Sequence, residues 1–211
     1  MRSPGVGGCD FPVAPETLAD EHTPFWIPAL QPGTIQLAPI GTPDDMPADL
    51  PLVLSELPGV AIHPAQNGVH IVWRVNGVDH QIWLELAVPS EPTGFVAILP
   101  LDALFLLRAQ AARRLWRSLN GQPPDDPLGS LPTLTRDRHI LTLRALDARL
   151  AGESYRTIAE VLLGFHGRIK NDWEVSPLKN QARRLVADGL YYMHGGYRDL
   201  LHYPLKLTRR R

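Results

Sequence analysis

The chain has 211 residues, 44% of them apolar, which is enough to bury one large core or two small ones. No apolar run approaches the roughly 20 residues that span a bilayer, the opening MRSPGVGGCDFPV lacks the apolar centre of a secretory signal, and the single Cys9 excludes an intramolecular disulfide and a cysteine-based zinc cluster, so a soluble cytoplasmic protein is expected. The net charge of −1 conceals opposite halves: residues 1–100 hold two Arg and no Lys against eleven Asp and Glu (net −9), and residues 101–211 hold nineteen Lys and Arg against eleven Asp and Glu (net +8).

Residues 1–58 are rich in proline, which blocks helices and removes ladder donors. They are expected to form an extended arm or linker with one strand at Thr34–Ala38. Phe11, Phe25, Trp26 and Ile27 are enough to pin that arm to a neighbour but not to build a core.

Residues 59–121 read as a sheet and a helix, an oligomerisation or signal domain. Val69, Ile71, Trp73 and Val75 alternate up to Asn76-Gly77, a pair suited to the two positive φ values of a tight hairpin turn. A two-residue loop pairs Val75 with Val78, Trp73 with His80, Ile71 with Ile82 and Val69 with Leu84, and sets Arg74 against Asp79 on the other face. Strands at Val60–His63 and Phe95–Leu99 complete a small antiparallel sheet. Asp102 caps a helix that runs to about Asn120 and stops at Gly121, with Leu104, Leu107, Ala111, Leu115 and Leu119 along the stripe that covers the sheet. Arg108, Arg113, Arg114 and Arg117 on its other faces are either solvated or set to meet phosphate or a partner. Gly121–Ser130 reads as a linker.

Residues 131–205 read as helices. The first starts at Thr135 or Asp137 and runs to about Leu150, with Ile140, Leu143, Leu146 and Leu150 inward. Ser154 caps a second, Tyr155 to Leu163, with Tyr155, Ile158 and Leu162 inward, a small Ala159, and Gly164 as its stop. After a loop of about eleven residues, Ser176-Pro177 gives a cap and a proline at the first helical position. Leu178, Ala182, Leu185, Val186 and Gly189 form the inner stripe of that third helix. The chain then breaks at Met193–Arg198 and starts again at Tyr197–Leu201.

This succession of capped helices resembles a helix-turn-helix, and the third helix is the expected reader. Lys179, Asn180, Arg183 and Arg184 face outward; Arg and Asn can make paired contacts to guanine and adenine edges. The Ser176 hydroxyl and the helix N-terminus would meet phosphate. The loop before the helix exceeds the usual 3–4-residue turn. It would hold an extra turn, act as a wing with Arg168 and Lys170 on the backbone, or signal another motif; Arg156 completes the expected DNA-facing set. The bland alternative is an amphipathic helix with basic residues in water. Likewise, the charge asymmetry suits a nucleic-acid-facing half, but also chance clustering or mutual neutralisation of the halves. The expected fold is α+β: a small antiparallel sheet with a covering helix, followed by a helix-turn-helix-like helical domain.

No catalytic constellation is found: no Gly-rich phosphate loop, no GxSxG and no His pair at metal-ligand spacing. His80 beside Trp73 reads as a hydrogen-bonded core histidine, and Trp83 and Trp173 as packing anchors. Tyr191, Tyr192 and Tyr197 near Arg198 and His194 only faintly echo a recombinase. No enzyme, cofactor or metal is expected.

Leu146–Gly152, Ser154-Tyr155-Arg156 with Ile158-Ala159-Glu160, Asp172-Trp173, Leu185–Leu190 and Met193–Arg198 together resemble the RovC-type DNA-binding domain of proteobacteria, over about residues 35–205. The resemblance implies a transcriptional activator that binds double-stranded DNA as a homo-oligomer, related to regulators of type VI secretion and of mobile-element excision. The same family contains a small antiactivator that binds the activator rather than DNA, which implies the alternative of an interaction module whose acidic half occupies a related regulator's basic surface. A weaker alternative is an accessory protein at recombination sites. Many relatives carry a further upstream segment, and the proline-rich start resembles the connector after it, which implies a partial activator from a split or alternatively decoded gene.

Overall fold

Five strands form one sheet among the described residues: β1 (Thr34–Pro39), β2 (Val60–Ala65), β3 (Gly68–Val75), β4 (Val78–Leu84) and β5 (Phe95–Ile98), in the order β2-β3-β4-β1-β5. The computed structural model describes residues 25–40, 51–65, 67–123, 125 and 130–205. The described residues up to Asp125, with Leu205, form one unit, and Ser130–Pro204 form a second. Cys9, Phe11 and the residues from Lys206 onward lie outside the described residues.

The β3–β4 hairpin takes the register expected from its turn. Asn76 and Gly77 have φ of 50° and 72°, and Val75 faces Val78, Trp73 faces His80 and Ile71 faces Ile82. On the exposed face the Arg74 guanidinium donates to both Asp79 carboxylate oxygens at 2.8 and 2.9 Å. That contact holds the Asp79 carboxyl below its usual range, against a smaller opposing effect of burial.

The sheet is mixed and not antiparallel throughout. β1 pairs parallel with β4, from Thr34 opposite Gln81 to Leu37 opposite Leu84, and antiparallel with β5. The strand expected on a peripheral arm is thus an inner strand, and Ile35 and Leu37 are buried in the core with Leu54, Ile71, Trp73, Ile82, Leu84 and Leu115. Thr34 and Gln81 support the parallel pairing through a side-chain hydrogen bond at 3.3 Å. On the opposite face Phe25 packs its ring at 4.4 Å from His63 and 5.4 Å from His70. Each fully buried aliphatic side chain here contributes about 1.5–3 kcal/mol.

Helix α1 (Phe105–Leu119) covers the core face, with Leu107 and Leu115 buried and Ala111 and Leu119 packed against the cluster. Its cap position is Leu104, two residues later than the expected Asp102, because the Asp102 carboxylate accepts the Leu104 N–H at 2.8 Å and forms a turn before the helix. Three of the four α1 arginines, left open between solvent and phosphate, bond within the chain. Arg108 is only 6% exposed, donating to the Pro28 carbonyl at 2.6 Å and to Asp102 at 3.2 Å. Arg113 and Arg117 both pair with Asp125. His80 is buried, 2.9 Å from the Ser118 hydroxyl, and burial, with Arg114 nearby, lowers its pKa to about 4.

The second unit consists of α2 (Thr133–Leu150), α3 (Tyr155–Leu163), α4 (Lys170–Val175), α5 (Pro177–Tyr191), a π-helical turn at Tyr192–Gly196 and α6 (Tyr197–Leu201). Ala145, Ile158, Ala159, Phe165, Ala182, Leu185 and Val186 form its core. The inward face of α2 differs from the expected one. Thr142, Ala145 and Leu146 are buried, whereas Ile140, Leu143 and Leu150 are 47%, 53% and 63% exposed. Apolar residues run around much of this helix, so spacing alone selects the wrong stripe; the close approach of Gly189 of α5 to Thr142 and Leu146 decides it.

Candidate nucleic-acid interface

The expected reading helix begins where the cap predicts. The Ser176 hydroxyl accepts the Leu178 N–H at 3.2 Å and Pro177 takes the first helical position, where its missing donor costs nothing. Ala182, Leu185, Val186 and Gly189 are buried and Leu178 packs against the same core. Three- and four-residue spacing therefore turns Asn180, Arg183, Arg184 and Ala187 to solvent together, and all four are exposed. Small Ala187 leaves the far part of that face low, with the longer polar side chains toward the helix start.

The tight turn of a helix-turn-helix is not present between α3 and α5. Gly164, at φ 70°, ends α3, and the stretch up to Ser176 holds α4. The Asp172 carboxylate accepts the N–H groups of Arg168 and Ile169 at 2.9 and 3.1 Å, shaping the entry to α4. Phe165 is buried and packs edge-on against Trp173 at 5.2 Å. The loop is thus anchored at both ends, with the side chains of Arg168 and Lys170 exposed between the anchors.

Three expected contact residues have bonds of their own. Ser176 spends its hydroxyl on the cap. Lys179 bonds the Glu174 carboxylate and, as donor and then as charge, holds it below the ordinary carboxylate range. Arg156 donates to Glu160 and to the Gly167 carbonyl, both at 2.9 Å, with its guanidinium 5.7 Å from the Phe165 ring centre. It ties α3 to the loop that follows.

One residue was missed. Arg149, at the end of α2, places its guanidinium 5.0 Å from the centre of the Tyr155 ring, and that of Arg183 lies 5.8 Å from the same centre. Three helices therefore bring two cations to one aromatic ring. No spacing rule announces this, because Arg149 and Arg183 are far apart in sequence.

Residues 130–204 carry eleven Lys and Arg against eight Asp and Glu, a net charge of +3, so part of the cationic excess of residues 101–211 lies elsewhere. The chemistry on offer is hydrogen-bond donation and positive charge on a helix face. Among the described residues no group of three His, Cys, Asp or Glu could hold a metal ion, and no helix is long and apolar enough to cross a membrane.

Comparison with curated proteins and with solved structures yields no match. Residues 98–202 match a family model described as "T6SS, Transcription factor, DNA binding domain". The match takes in α1 and every helix of the second unit. Through these residues, about half of its length, the chain belongs to the RovC DNA-binding domain family.

Proposed function

We propose that this chain regulates transcription by reading double-stranded DNA with α5. The observation that carries the reading is the family match over residues 98–202, within which Asn180, Arg183 and Arg184 share one exposed face of a capped helix. Arg183 and Arg184 supply guanidinium forks for guanine edges or phosphate, and Asn180 supplies the paired donor and acceptor that suits adenine. Arg168, Lys170 and Arg149 contact the phosphate backbone, while Ser176, Lys179 and Arg156 act chiefly by holding the helix and its loop in position. Activation and assembly as a homo-oligomer follow what the family resemblance implies, and action in the cytoplasm follows the expectation from composition.

An anisotropy titration against the promoter region beside its own gene, at several salt concentrations, tests this. Specific binding that weakens steeply with salt supports it, because each phosphate contact releases condensed counterions. A second reading draws on the net charge of −9 in residues 1–100: the chain binds a related regulator through that acidic half. Tight binding to a co-encoded relative, with no binding to any DNA, would establish the second reading and overturn the first.

A further inference from the structure

We propose that α2 pairs antiparallel with α2 of a second copy of this chain, through the face it turns to solvent. This deepens the homo-oligomer part of the reading above by naming its surface, and it uses none of the residues assigned to DNA.

The outer face of α2 carries Thr133, Arg136, Ile140, Leu143, Asp147 and Leu150, all exposed. Their spacing alternates three and four residues over the full length of the helix, the pattern of a heptad seam. The inner face already packs on the core through Ala145 and Leu146, so the seam is a second apolar stripe on one helix. Ile140, Leu143 and Leu150, at 47%, 53% and 63% exposed, are its apolar members.

The seam complements itself in one orientation. A two-fold axis between Leu141 and Thr142, the midpoint of the helix, sets Ile140 against the partner's Leu143 and Leu143 against the partner's Ile140. The same axis sets Arg136 against the partner's Asp147 and Asp147 against the partner's Arg136, and Leu150 against the partner's Thr133. Every contact occurs twice, as a two-fold interface requires. Parallel pairing in register would stack Arg136 on Arg136 and Asp147 on Asp147, and like charges at a contact are strongly disfavoured. Neither Arg136 nor Asp147 takes part in an ion pair among the described residues, so both charges remain for a partner. A seam of one helix is smaller than the roughly 1,600 Å² of a standard stable interface, so the self-association it drives is weak and concentration-dependent.

Sedimentation equilibrium of the full chain tests this with charge reversals. Arg136→Glu alone and Asp147→Arg alone should each weaken self-association by about tenfold or more, since each sets like charges face to face at both ends of the seam. The double variant R136E/D147R should return to within about threefold of the original, and an equimolar mixture of the two single variants should associate better than either alone. Leu143→Asp should give a monomer, with an unchanged thermal midpoint showing that the fold survives. A chain that stays monomeric up to about millimolar concentration would overturn the proposal, as would an oligomer indifferent to both charge reversals. DNA titrations on the same variants keep the two readings apart: lost pairing with DNA binding retained counts for this surface, and lost DNA binding with pairing intact counts against the DNA reading alone.

Discussion

Gly189 of α5 lies so close to Leu146 of α2 that a Cβ at position 189 would come within 2.8 Å of the Leu146 Cβ and 3.2 Å of the Thr142 carbonyl oxygen. The two helices cross where one of them has no side chain, and the position is buried. Gly189→Ala pits two effects against each other. Alanine favours a helix interior over glycine by about 1 kcal/mol, but overpacking a core costs about 1–3 kcal/mol. At 2.8 Å from a Cβ atom, which cannot rotate away, the clash wins. G189A should lower the unfolding free energy by about 1–2 kcal/mol, read as a lower denaturant midpoint; a higher midpoint would mean that the crossing is looser than described.

Exposed and internally bonded cations should behave differently toward DNA. Arg183→Ala and Arg184→Ala should each weaken specific binding by about 1–3 kcal/mol, or flatten the salt dependence by about one phosphate contact, according to whether the side chain meets a base or the backbone. Lys179→Ala should do less, because that ammonium already bonds Glu174. R184A should leave the thermal midpoint almost unchanged, and R183A should lose no more than the contribution of its contact with Tyr155, about 0.5–1 kcal/mol. Competition titrations at fixed salt, paired with melting curves, check all three. Equal losses for Lys179 and Arg184 would place the contact surface elsewhere on the helix.

His80 gives stability a pH dependence of definite sign. Its folded pKa lies at about 4, below the usual 6.5, so the unfolded chain binds the proton more readily than the folded one. Stability is therefore full above about pH 6.5, falls as the pH drops below it, and levels off once the pH passes the folded value of about 4. The shift corresponds to about 3 kcal/mol at most. His80→Gln should cost some stability at neutral pH, because the bond to Ser118 is disturbed, yet it should flatten the slope between pH 6.5 and 4. Chemical denaturation across that range measures the difference in slope, and equal slopes would mean that His80 is not the titrating group.

What the sequence disclosed follows how local the governing forces are. Asn76-Gly77 determines a hairpin register through the dihedral angles of two adjacent residues, and Ser154, Ser176 and Gly164 mark helix ends through contacts within five residues. The parallel pairing of β1 with β4 joins residues 47 apart, from Thr34 to Gln81, and no local pattern distinguishes a pinned arm from an inner strand. The face of α2 was misread because two apolar stripes compete on one helix, and only the shape of α5 decides between them. Within the candidate interface, the outward set Asn180, Arg183 and Arg184 was legible from the complementary inner stripe. The ion pair of Lys179, the bonds of Arg156 and the convergence of Arg149 with Arg183 on Tyr155 depend on the path of the loop and were not.

Ser176 separates the two tasks that meet at the start of α5. Its hydroxyl caps the helix by accepting the Leu178 N–H, and replacing such a cap by alanine costs about 1 kcal/mol. Aspartate caps about as well as serine, so Ser176→Asp should hold the thermal midpoint near that of the original chain while Ser176→Ala lowers it. DNA binding should rank the variants the other way. If α5 enters the groove by its N-terminus, a phosphate lies near the first turn, where the helix dipole favours an anion. A carboxylate at position 176 then repels that phosphate, and S176D should bind more weakly than S176A even though it is the more stable protein. Binding by S176D as tight as that of the original chain would show that no phosphate approaches this end of the helix, and the reading face would have to lie farther along, toward Ala187.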